Sequence, residues 1–132
     1  MGKKVFNVDE GMVGGAFLSH AVEAGGTIYI SGMVPIDTRT GAFIQDDIRA
    51  ATTLVLEQLK SVVEESGSHM ENVVKVNVYL RDMEDFSAMN EIYQSFFPKN
   101  PPARTTLEVQ KIVADLPIEI EAVAFTRTLP AA

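Results

Sequence analysis

At 132 residues, with 46% hydrophobic and 22% charged residues, the chain has the size and balance of one globular domain, read here as spanning 1–132. Its net charge of −7, with Lys3-Lys4 the only adjacent basic pair, argues against nucleic acid or anionic lipid as a partner. The absence of cysteine excludes disulfides, thiolate metal sites and a cysteine nucleophile, and no apolar run approaches the ~20 residues of a membrane span, so a cytoplasmic domain without metal or cofactor is expected.

The first third reads as β-structure. Ala21 to Ala24 and Thr27 to Ser31 flank Gly25-Gly26, a pair suited to a tight hairpin turn. Asp37 to Gly41 forms a second turn cluster. Asp46 to Ser66 then carries the periodicity of a helix, with Ile48, Ala51, Val55, Leu59 and Val62 on one stripe and Thr52, Leu56 and Val63 beside it. Asp46 or Asp47 can cap its start, and Gly67 suits the left-handed position after its end.

Val73 to Leu80 predicts a central strand, apolar enough to be buried on both faces. Asp82 opens a second helix through about Phe97, with Phe86, Met89, Tyr93, Phe96 and Phe97 as its buried side and Met83 also read as core. Pro98, Pro101 and Pro102 end it. Arg104 to Val109 and Ile118 to Thr126 are the last strands. Two strand–helix–strand crossovers of one hand place both helices on one face of one sheet. The other face is expected to carry Glu119, Glu121, Val123 and Phe125 from the last strand, and Arg104, Thr106 and Glu108 from the one before, with Thr105, Leu107 and Val109 pointing inward. Such a face is uncomfortable in water, so self-association is expected.

Arg104 and Glu119 stand out chemically. A guanidinium is a planar fork that grips a carboxylate with two prongs, and a glutamate on a neighbouring strand can act as acid or base beside it. Residue types alone favour a plain inter-strand or inter-subunit ion pair. Other groupings are weaker: Glu119 with Glu121 shows no glycosidase cleft, Ser31 sits in no nucleophile elbow, and His20 and His69 occupy unrelated contexts that do not suggest a metal site. The stretch Glu10 to Ala16, with Gly11, Gly14 and Gly15, reads as a connector with a mobile lid as the alternative.

Longer segments carry a resemblance. Val74-Lys75-Val76-Asn77-Val78-Tyr79-Leu80-Arg81-Asp82-Met83-Glu84-Asp85-Phe86 continues through Met89-Asn90-Glu91-Ile92-Tyr93 and Phe96-Phe97 to Pro102-Ala103-Arg104-Thr105-Thr106. Ile28-Tyr29-Ile30-Ser31-Gly32 and Glu119-Ile120-Glu121-Ala122 complete the pattern. Over about Ala21 to Ala124 the chain resembles the RidA (YjgF-type) imine deaminases, formerly labelled endoribonuclease L-PSP. The resemblance implies an α+β, chorismate-mutase-like fold: a single mixed β-sheet with two helices on one face, assembled as a homotrimer with sites between subunits. It implies hydrolysis of 2-iminobutanoate- and 2-iminopropanoate-type intermediates to 2-keto acids and ammonia. Arg104 would bind the substrate carboxylate and Glu119 would activate water, with Ser31, Gly32, Phe17, Asn90 and Thr106 lining the pocket.

The chain departs from the family pattern at several points. Gly15-Ala16-Phe17-Leu18-Ser19-His20 stands where many members have Gly-Pro-Tyr-Ser-Gln, so a pocket tyrosine is replaced by Phe17 or Leu18. Met33 replaces a frequent Gln, Gln58 a frequent Asn, and Thr106 a position that is Cys in some members. These changes bear on substrate preference. Two other functions compete: a non-catalytic 2-keto-acid sensor, and the ribonuclease or translation inhibitor of the older label, which the acidic charge disfavours.

Overall fold

The structure, a computed structural model, describes residues 2–7 and 17–126. The Glu10 to Ala16 stretch, with its glycines, lies outside the described residues. In chain order the elements are β1 (Lys4–Phe6), β2 (Ala21–Ala24), β3 (Thr27–Met33), β4 (Ile36–Asp37), β5 (Ala42–Phe43), α1 (Ile48–Glu65), β6 (Val73–Leu80), α2 (Phe86–Phe96), β7 (Ala103–Glu108) and β8 (Ile118–Phe125). Six strands form one mixed sheet in the order β1-β2-β3-β8-β6-β7, while β4 and β5 pair as a small separate hairpin. Among the described strands only β6 and β7 pair in parallel.

Local chemistry sets the boundaries. Gly25 and Gly26 both take positive φ, at 59° and 82°, which lets a two-residue turn join β2 to β3 with the twist the strands require. Asp47 caps α1 by accepting from the Ala50 amide at 3.0 Å. At the other end Gly67 sits at φ 86°, the Ser68 amide reaches the Val63 carbonyl, and the Gly67 amide reaches Glu64. That pair of bonds satisfies carbonyls the helix leaves open. The second helix starts later than its acidic residues suggest, because Met83–Asp85 forms a 3-10 turn capped by Asp82.

The core lies between the helices and one sheet face. Ala51, Val55, Leu59 and Val62 of α1 are fully buried, as the stripe predicts, with Thr52, Leu56 and Val63 beside them. They meet Ile28 and Ile30 of β3, Val76, Val78 and Leu80 of β6, and Ile118, Ile120, Ala122 and Ala124 of β8. Met89 and Tyr93 of α2, with Phe97 just after its end, close it, whereas Met83 is exposed rather than core.

Two strand readings need correction. Strand β6 is buried on one face only; Lys75, Asn77 and Tyr79 are half-exposed on the other. Strand β7 is turned over relative to expectation. Its parallel register sets Arg104 beside Val76 and Thr106 beside Val78, both helix-side residues, while Leu107 stands beside Tyr79 on the open side. Arg104 and Thr106 are therefore half-buried under α2, and Leu107 is 50% exposed. The reason is the room at the sheet edge: α2 presents aromatic rings there that can carry a guanidinium.

Candidate active site

The sequence-predicted residues fall into two groups on opposite faces of the sheet. Arg104, Asn90 and Thr106 lie on the helix side of edge strand β7. Ser31, Gly32 and Glu119 lie on the open side, around β3 and β8. Strand β6 runs between β7 and β8, so Arg104 and Glu119 are not neighbours within one copy of the chain, contrary to the pairing the sequence suggested.

Arg104 opens on a cavity of about 330 Å³ bounded by α2 and the Pro101–Pro102 turn. Its Nη1 donates to Asn90 Oδ1 at 2.7 Å, and the guanidinium carbon lies 4.6 Å from the Tyr93 ring centre and 5.5 Å from that of Phe86. No carboxylate pairs with it among the described residues, which removes the plain ion-pair reading within one protomer. Burial pushes the Tyr93 phenol up to about 12 although the adjacent guanidinium pulls it down, so it remains protonated at any working pH. The Thr106 hydroxyl is buried without a hydrogen-bond partner among the described residues.

On the open face, β3 carries a bulge. Ile30 pairs with Ala122 and Met33 with Ile120, so Ser31 and Gly32 together oppose the single Glu121. Ser31 is fixed there by donating its hydroxyl to the Ser19 carbonyl at 2.6 Å. Gly32 is a spatial necessity: a Cβ at that position would lie 2.8 Å from Glu119 Cδ and 3.0 Å from Cγ. The absent side chain is what lets the Glu119 carboxylate lie against the bulge. Phe17 stands fully exposed in the single chain.

Glu119 is half-buried, and burial, with the neighbouring Glu121 charge second, raises its pKa above the ordinary carboxylate value of 4.5. Glu121 differs: it accepts from the Tyr79 hydroxyl and, at 3.4 Å, from Asn77 Nδ2. That bond, burial and the two glutamates push the Tyr79 phenol up to about 12, so it stays a donor. The sequence singled out neither Tyr79 nor Tyr93 as part of the site. Their spacing opposite Glu119 in β6 and three residues after Asn90 in α2 was the available signal. Glu119 itself accepts no hydrogen bond among the described residues, leaving its oxygens available to water or ligand.

Among the described residues no helix is long and apolar enough to cross a membrane. Residues 14–126 match the family model described as Endoribonuclease L-PSP. A RutC family protein of Pyrococcus horikoshii is 44% identical over 107 residues, covering 81% of this chain and 85% of its own. The 2-iminobutanoate/2-iminopropanoate deaminase of Salmonella typhimurium is 37% identical over 109 residues, covering 80% and 84%. Among solved structures, RidA from an Antarctic Psychrobacter superposes with a TM-score of 0.86 at 30% identity, over 92% of this chain and 98% of that one. A sheet with two helices on one face, a guanidinium at its edge and a half-buried glutamate across it thus come with matches along nearly the whole chain, and the chain belongs to the RidA (YjgF-type) family, whose model carries the name endoribonuclease L-PSP.

Proposed function

We propose that the protein is an imine deaminase that hydrolyses small 2-imino acids to 2-keto acids and ammonia, at a site closed between copies of the chain in a homotrimer. The observation that carries this reading is Glu119, a half-buried carboxylate with a raised pKa and no hydrogen-bond partner among the described residues. A protein that merely senses keto acids needs an arginine and has no use for such a group. The relative from Salmonella bears the name of this activity.

In the proposed reaction the substrate carboxylate lies on Arg104 of one copy, which fixes the C=N carbon against Glu119 of the next. Orientation of this kind contributes several kcal/mol to a reaction that already proceeds in water. Glu119 takes a proton from water as the water oxygen bonds to the imine carbon and returns it to the imine nitrogen, which becomes the amine of a carbinolamine. Glu119 then takes the remaining proton from the new hydroxyl and passes it to that nitrogen as the C–N bond breaks, releasing ammonia and leaving the keto group. The acidic chain, with Glu119 and Glu121 on one face, repels the phosphates that the family's older name would make its substrate.

The test is a coupled assay in which 2-aminoacrylate is generated in situ and keto-acid formation is followed with and without the protein. Acceleration above the uncatalysed rate supports the reading, and its absence sinks it. Light scattering at micromolar concentration that returned a 14.4 kDa monomer would remove the shared site.

A further inference from the structure

One face of α2 meets Arg104 with three side chains spaced i, i+4 and i+7: Phe86, Asn90 and Tyr93. All three are electrically neutral. Two ring faces and one amide oxygen fix the plane of the guanidinium without cancelling its charge. The next residue on the same helix provides the contrast. Glu91 takes Arg49 Nη1 at 2.5 Å on the solvent side, and there the cation is matched inside the protein. A carboxylate at position 90 would hold Arg104 as firmly as the amide does, but it would use the charge that a ligand needs. The Tyr93 hydroxyl is buried and makes no hydrogen bond among the described residues, so what Tyr93 presents to Arg104 is its ring.

We propose that Phe86, Asn90 and Tyr93 are positioning residues forming a charge-neutral cradle, which orients Arg104 and leaves its outer edge and full charge to the carboxylate of a 2-oxo or 2-imino acid. Asn90, expected from the sequence to touch substrate, acts through the arginine instead. The inference rests on the reading of Arg104 as the carboxylate site.

Calorimetric titration of the full chain with pyruvate tests it, using the wild type and the variants Tyr93→Phe, Tyr93→Leu and Asn90→Asp. Tyr93→Phe keeps the ring and should bind as the wild type does. Tyr93→Leu should weaken pyruvate binding about tenfold, the size expected of a desolvated cation–π contact, and raise KM by the same factor while kcat at saturation stays near wild type. Asn90→Asp should weaken binding further, with a melting temperature equal to or above that of the wild type, because the new carboxylate pairs with Arg104. Equal losses in the Phe and Leu variants would mean that the hydroxyl touches the ligand, and the cradle would be wrong. Wild-type affinity in either the Leu or the Asp variant would overturn it as well, and if the Leu variant does not fold, the Asp variant decides. A wild-type protein that binds no pyruvate removes the carboxylate site and the cradle together, a result distinct from tight wild-type binding with unaffected variants.

Discussion

The two faces of the sheet are built by different rules. On the helix side every inward residue of β8 is an apolar side chain buried to within a few per cent, and the shapes of α1 and α2 fill the space above it. On the open side the same strand presents Glu119, Glu121, Val123 and Phe125, half-covered and bonded in part to Tyr79 and Asn77. Tyr29 at 54% exposure and Leu107 at 50% add apolar area that one copy leaves in water. One face is complete in a single chain and the other is not. The contrast teaches that packing and the proposed chemistry draw on separate surfaces, with Arg104 the exception that carries charge into the packed side.

Substitutions on the two faces should therefore behave oppositely. Glu119→Gln is expected to lower imine turnover by about 10²–10⁴, the usual worth of acid–base help, with keto-acid binding retained. The same variant should melt no lower than the wild type at pH 7. Because folding raises the Glu119 pKa, the folded state holds its proton more tightly, and stability declines as pH rises from 4.5 through the raised value. The variant escapes that decline, so its advantage should vanish below pH 4.5, and a melting series across pH reads it directly. Wild-type turnover in this variant would make the sensor reading the better one.

Leu59→Ala, in the completed face, should cost about 2–5 kcal/mol in chemical denaturation, as for other fully buried leucines. Leu107→Ala should cost the fold less than about 0.5 kcal/mol, and its effect should appear in association instead. Equal costs would erase the contrast between faces. Arg104→Lys keeps the cation but not the fork, and keto-acid affinity measured by titration should fall by more than about tenfold. The smallest effect is expected from Glu121→Gln. Removing the second cause of the raised Glu119 pKa should move the acid limb of the pH–rate profile to lower pH, while burial keeps it above the ordinary carboxylate range.

Much of the packed face was legible in the sequence because a buried stripe leaves a periodic record. The stripe of α1, the cap at Asp47, the glycine after it, the limits of β6 and the alternation of β8 were all present as residue patterns. Strand β7 defeated the same logic. Its apolar Leu107 looks like core, yet a six-residue edge strand can present an apolar side chain outward, and its arginine can face inward when rings receive it. Periodicity records which residues share a face and not which face is covered. The family resemblance singled out the candidate site residues, but their division between the two sides of the sheet was not legible, since it depends on β6 entering between β7 and β8. The short β1 and the two-residue strands of the β4–β5 hairpin left too few residues to register as strands, although the turn between β4 and β5, Asp37 to Gly41, was legible.

In the proposed shared site, the separation of Arg104 and Glu119 by the thickness of a sheet has a genetic consequence. When a site borrows one group from each of two copies, two inactive variants can repair each other. Mixing Arg104→Ala with Glu119→Gln subunits after dissociation would place an intact arginine opposite an intact glutamate in about a quarter of randomly assembled sites. Neither parent could form such a site alone. A diploid carrying one of each lesion would then keep activity that neither homozygote has, and a single chain bearing both changes would rescue nothing.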